Sequence, residues 1–221
     1  MKRHDLYAPI HKGLRLALSD LLVRLGQADY ADPAATADLL GALRRQLVLS
    51  ASHLHHEEVE IHTALEARAP GSTITLEADH DHHRRAFVAL EAAIAAVEAA
   101  PPAERAAPAR ELYLAFSQFV AADFAHMAEE ELTILPLLHR LFHDDELIAI
   151  EARIVGAIPP EKTMAYLGLM VPAMNPAERV AFLAFVRAGA PAEMFEAVLD
   201  NAVRPSLSAQ DYEALELALA A

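Results

Sequence analysis

The amino-acid sequence predicts an all-α protein. Residues 1–143 read as an up-down-up-down four-helix bundle, and residues 144–221 as a C-terminal extension of short helices. Three observations carry this reading. Long Ala/Leu-rich segments with few β-branched residues favour helix over strand. Their apolar residues recur with the helical period. Proline-containing breaks separate them at short intervals, and long helices joined by short connections pack antiparallel.

The first helix spans about residues 5–28, before the break Ala31-Asp32-Pro33. The second, about 34–69, stops at Ala69-Pro70-Gly71-Ser72. The third covers about 73–99, and the fourth about 104–142 after Pro101-Pro102. Beyond residue 143 the helices become short and carry end signals. Asp144 is placed to cap a helix ending near Gly156. Asn175-Pro176 reads as an N-cap with proline in the first turn, and Gly189 marks where that helix stops. Ser208 and Asp211 resemble a capping box before Tyr212.

Composition narrows the function. Apolar residues are 54% and charged residues 23% of 221, which supports a buried core. Lys+Arg is 18 against Asp+Glu 32, a formal charge of −14, so a phosphate backbone is repelled and nucleic acid is excluded as a partner. The absence of cysteine excludes thiolate metal sites, iron–sulfur clusters and cysteine nucleophiles. The longest uncharged stretch, Thr163–Ala177, has 15 residues and two prolines, too short for a bilayer span of about 20. The charged opening Met1-Lys2-Arg3-His4-Asp5 has no apolar run behind it, so a cytoplasmic protein is expected.

The 12 histidines are clustered, and the clusters repeat. His53 to Leu65 and His126 to Leu138 both read His-x-x-x-Glu-Glu-x-x-Ile-x-x-x-Leu. A His and a Glu four apart share a helix face, which suits two ligands of one metal ion. Helix 2 offers three such pairs: His53/Glu57, His56/Glu60 and His62/Glu66. On a helical wheel Glu57 lies about 40° from the centre of the apolar stripe, His53 about 80°, Glu60 about 100° and His56 about 140°. His53/Glu57 is therefore the inward pair, with Glu60 at the fringe. On helix 4, Glu130 lies near the stripe centre and His126 within about 60° of it. His11 falls on the stripe of helix 1, and His80 and His83 on that of helix 3.

Depth agrees. In an antiparallel pair, residues equidistant from the turn share a level. The midpoints between successive clusters fall at about residues 33, 68 and 105, each within about a turn of an expected connection. His11, His53, Glu57, His80, His126 and Glu130 thus meet at one level of the bundle. Burying two carboxylates and four imidazoles is costly without a compensating cation. Nitrogen and oxygen donors without thiolate suit iron, manganese, zinc or copper, and carboxylates from opposite sides can bridge two ions.

These residues, in this order on four helices, resemble the hemerythrin family in its bacterial HHE cation-binding branch, over roughly residues 1–145. The resemblance implies a non-heme di-iron centre, with Glu57 and Glu130 as bridging carboxylates and an open coordination position. Zinc or manganese are the alternative metals. It implies a protein that binds or senses oxygen, nitric oxide or iron, with a diatomic gas or small oxidant as its partner. A second reading is a redox enzyme acting on peroxide, nitric oxide or ferrous iron; a third is a module merely braced by zinc. The oxygen carriers place two histidines four apart on the third helix, whereas here position 84 is Arg and the second histidine is His83. That departure moves the expectation from oxygen carriage toward sensing, iron handling or redox chemistry. A ferritin-like site needs Glu-x-x-His twice, and Glu77-x-x-His80 occurs once. Residues 144–221 have no counterpart in the minimal family domain and are left for a second copy or a protein partner.

The other histidines, His4, His55, His56, His62, His82, His139 and His143, read as solvated or rim residues. His83 is inward by periodicity, either a ligand or a core residue. Asp123 is inward too, and Arg15 and Arg84 are expected to reach the surface or an acidic partner.

Overall fold

The computed structural model describes residues 3–220. Among them the regular structure is helical, and the four long helices stand where the punctuation places them. They are α1 (Ala8–Gln27), α2 (Pro33–His56) extended by α3 (Thr63–Arg68), α4 (Ile74–Ala99), and α5 (Ala106–Glu129) extended by α6 (Leu135–Leu141). No helix among the described residues is long and apolar enough to cross a membrane.

The ends follow from local chemistry. Asp32 caps α2, its side chain accepting from the N–H groups of Ala34 and Ala35, while Pro33 occupies the first turn where no N–H is needed. Between α3 and α4 the chain turns at Gly71, whose φ of 84° a residue with a Cβ resists. The Glu66 carboxylate accepts from the Gly71 and Thr73 N–H groups at 2.7 and 2.9 Å and from the Thr73 hydroxyl at 2.7 Å, which pins the turn.

Two of the long helices are interrupted by π-helical turns that the periodicity did not signal, Glu57–His62 and Glu130–Ile134. Each begins at the glutamate of a His-x-x-x-Glu motif. A π turn closes i→i+5 bonds and takes one extra residue, so later side chains lag by about 100°. The second is followed by Pro136, which cannot donate an i→i−4 bond.

Packing divides the chain into two compact units. The first contains residues up to Asp5 and Ala17–Ile154. Its core is built by Leu18, Leu21 and Leu25 of α1, Leu39, Leu40, Leu43 and Leu47 of α2, Leu90, Ile94 and Val97 of α4, and Leu112, Phe116 and Phe119 of α5. Arg44 of α2 grips Glu91 and Glu98 of α4 at 2.7 and 2.5 Å on the surface. The unit also takes most of α7 (Asp144–Ala157), with Leu147 and Ile150 buried. Asp144 is the first residue of α7 rather than its cap. The Glu146 carboxylate reaches back to the His143 N–H at 2.9 Å, and Asp144 pairs with Arg3 at 2.5 Å.

The second unit contains Leu6–Leu16 and the chain from Val155 onward. It holds α8 (Pro160–Ala173), α9 (Pro176–Gly189), α10 (Ala192–Val198), α11 (Arg204–Ser206) and α12 (Ala209–Ala220). Its core joins Leu167, Val171, Leu183, Phe195, Val198, Val203, Tyr212 and Leu215. The expected caps are made: Asn175 forms a full capping box with Glu178, and Ser208 accepts from the Asp211 N–H at 3.1 Å. A third π turn, Leu199–Val203, precedes Pro205. Lys12 holds both oxygens of Glu178 at 2.6 Å, and Gly13 lies so close to α8 that a Cβ there would sit 3.0 Å from the Leu169 backbone.

Candidate metal centre

Glu57, His80, His126 and Glu130 come together in the first unit. One donor atom from each lies within 4.8 Å of the others, and all four side chains are buried. The His80 and His126 Nε2 atoms are 3.0 Å apart. A Glu57 oxygen is 3.7 Å from His80 Nε2, and a Glu130 oxygen is 3.5 Å from His126 Nε2. His53 stands on the same face of α2, with its Nε2 3.1 Å from Glu57 Oε1 and its side chain 12% exposed.

The helices set this geometry. In each motif the histidine sits on the last α-helical turn and the glutamate opens the π turn. The glutamate N–H is shared between the carbonyls four and three residues back, His53 and Leu54 for Glu57, His126 and Met127 for Glu130. The two copies of the motif thus present their carboxylates from opposing segments.

The back side of each histidine decides its chemistry. His80 Nδ1 is 3.0 Å from Glu58 Oε1, and His126 Nδ1 is 3.4 Å from Asp79 Oδ2. An ionised carboxylate can only accept, so in the neutral ring the proton resides on Nδ1 and Nε2 presents its lone pair. Two such lone pairs then face one another at 3.0 Å, beside two buried carboxylates. A shared proton relieves one lone pair; a divalent cation relieves both and offsets the carboxylate charge as well. The donor set therefore fits a nitrogen- and oxygen-binding metal such as iron, manganese or zinc.

Glu58 is half-buried. Burial alone would raise its carboxyl, yet hydrogen bonds from Arg84 and His80 hold it below the usual range. Arg84 donates to Glu58 and to Asp81 at 2.6 Å each, so it turns outward to acidic partners, as its charge requires near a cation site. Sequence reasoning missed Glu58 and Asp79. The doubled glutamates of the motif were the one available hint for Glu58; Asp79 carried none.

The remaining candidates are distributed as follows. His11 stands on the part of α1 that packs with the second unit; it is fully buried, its ring stacked on Tyr7 with centroids 5.1 Å apart. Glu60 turns away to Arg153, 2.6 Å from its Nε. His83 is buried with its ring 5.2 Å from that of His126, and its Nε2 is 3.8 Å from Asp123. Burial, reinforced by the neighbouring His126 and His80, depresses the His83 imidazole to about 3. His62 corrects the sequence reading: expected at the rim, it is 3% exposed and stacks on His80 with centroids 5.0 Å apart. The π turn is the cause, because it rotates His62 away from where a constant 100° per residue places it. Burial drives its imidazole below the ordinary value.

Residues 5–142, more than half of the chain, match the family model of the hemerythrin HHE cation binding domain. No curated protein and no solved structure matches the chain.

Proposed function

The chain belongs to the hemerythrin HHE cation-binding family, and on that premise we propose that its buried histidine–glutamate cluster holds two iron ions. One observation carries the reading. His80 and His126 face each other through Nε2 at 3.0 Å, each backed by a carboxylate, with Glu57 and Glu130 alongside. Glu57 and Glu130 would hold the ions through their carboxylates. His80 and His126 would supply nitrogen from their facing Nε2 atoms. His53, placed on Glu57, would supply it too, and His11 is the further nitrogen donor by the family pattern and by sequence register.

When bound, such a pair of ions supplies Lewis acidity, electron transfer and an open position for a small molecule. The chain's own residues do the rest. Glu58 and Asp79 fix the tautomers and ring orientations of His80 and His126. Phe119, edge-on to His83 at 5.7 Å, and the leucines of the adjoining core exclude water from the flank of the cluster. The histidine-rich donor set and the absence of a glycine-rich substrate loop favour binding or sensing of oxygen, nitric oxide or iron over turnover of a larger substrate.

Metal analysis of full-length protein from iron-supplied cells tests this. About two iron ions per chain are expected, with an absorbance change on admitting oxygen or nitric oxide to the reduced protein. Zinc in place of iron, with no redox response, would establish the structural-brace reading instead. Steady turnover of peroxide, abolished by Glu57→Ala, would establish the enzymatic one.

A further inference from the structure

His62 lies outside the ligand set, yet it is 3% exposed and neither ring nitrogen has a hydrogen-bond partner among the described residues. Its ring lies nearly parallel to that of His80, at 25° and 5.0 Å between centroids. A buried imidazole with unmet polar atoms lowers stability, so packing alone does not account for it. The residue at the register of His62 in the second copy of the repeat is Leu135, which is apolar and only partly buried, so the repeat itself does not call for a histidine there. Direct ligation does not fit either, because His62 is not among the side chains whose donor atoms gather within 4.8 Å. What remains is a polar group held beside the centre for something that arrives there.

We propose that His62 is the hydrogen-bonding residue for a small polar or anionic molecule bound at the metal centre, holding it from the His80 side. This rests on the metal-binding reading above and adds a residue that positions the bound molecule rather than the metal. The stacking on His80 restricts the ring's rotation, so the hydrogen bond is offered in a fixed place at little entropic cost.

Full-length wild type and the variants His62→Leu, His62→Phe and His62→Gln are loaded anaerobically with Co(II) and titrated with sodium azide, followed by visible absorbance. Circular dichroism melting of the metal-free proteins runs in parallel. The apolar variants are expected to keep the wild-type cobalt content, to melt higher when metal-free, and to bind azide about tenfold or more weakly. His62→Gln, which retains an N–H, binds azide more tightly than either apolar variant. Either apolar variant suffices if the other fails to fold. Azide affinity within about twofold of wild type would overturn the inference and make His62 a packing residue. Loss of cobalt from the apolar variants would overturn it and make His62 a ligand. A wild-type protein that takes up no cobalt would defeat the metal reading itself, and this inference with it.

Discussion

His80 and His126 point Nε2 at Nε2 across 3.0 Å, and each is braced from behind, His80 by Glu58 and His126 by Asp79. Two rings turned to offer lone pairs to one point are an arrangement that a cation stabilises. The carboxylates behind them, on Glu58 and Asp79, set how the two rings face each other.

The first prediction concerns those braces. Glu58→Gln and Asp79→Asn each leave His80 and His126 in place but weaken the acceptor behind a ring. Each is expected to lower metal affinity by about 10- to 100-fold, measured by competition with a chelator. Unchanged affinity in both would show that the rings need no orientation from outside.

Metal removal gives the second. Metal that binds the folded chain alone stabilises it by about 4 kcal/mol at a thousandfold excess over Kd. For a chain of this length that is a fall in Tm of roughly 10 °C on chelation. Glu57→Ala and Glu130→Ala should melt at the same temperature with and without metal. Differential scanning calorimetry checks both.

The third concerns pH. Burial holds the His83 imidazole at about 3 in the folded protein, below its ordinary 6.5. The unfolded chain therefore binds a proton that the folded chain refuses, and stability rises with pH across that window. The metal-free protein is expected to lose stability as pH falls from about 6.5 toward 3. His83→Phe should flatten part of that slope in urea unfolding followed at several pH values, and an identical slope would contradict the assignment.

The fourth lies in the second unit. Glycine inside a helix normally costs about 1 kcal/mol against alanine, so Gly13→Ala would ordinarily stabilise α1. Here the added Cβ would meet the Leu169 and Met170 backbone at 3.0 Å, which cannot yield as a flexible side chain does. The substitution is expected to destabilise by about 1–3 kcal/mol. A gain in stability by chemical denaturation would show that the two segments are not in such contact.

Much of this was legible in the sequence because helix punctuation and helical period are local signals. Asp32-Pro33, Pro70-Gly71 and Asn175-Pro176 each mark a boundary that the structure keeps. The inward positions of Glu57, His80, His126 and Glu130 followed from a wheel of 100° per residue, since each lies within the α-helical run or at the first residue beyond it. His62 did not follow, because the wheel assumes an unbroken α-helix and His62 is the last residue of the π turn Glu57–His62. Glu60 reads as a fringe residue on the same wheel, and its carboxylate goes to Arg153, a partner 93 residues away that no local pattern could name. Asp79 is of the same kind: it stands beside His80 in sequence yet serves His126 on another helix.

The most direct test of the central claim is an anomalous difference map at the iron absorption edge, from crystals of the full chain loaded with Fe(II) without oxygen. Two peaks are expected within the bundle, one bounded by His80, His126, Glu57 and Glu130, the other beside His53 and Glu57. Peaks confined to surface histidines such as His55 or His82, or no peak near His80 and His126, would contradict it.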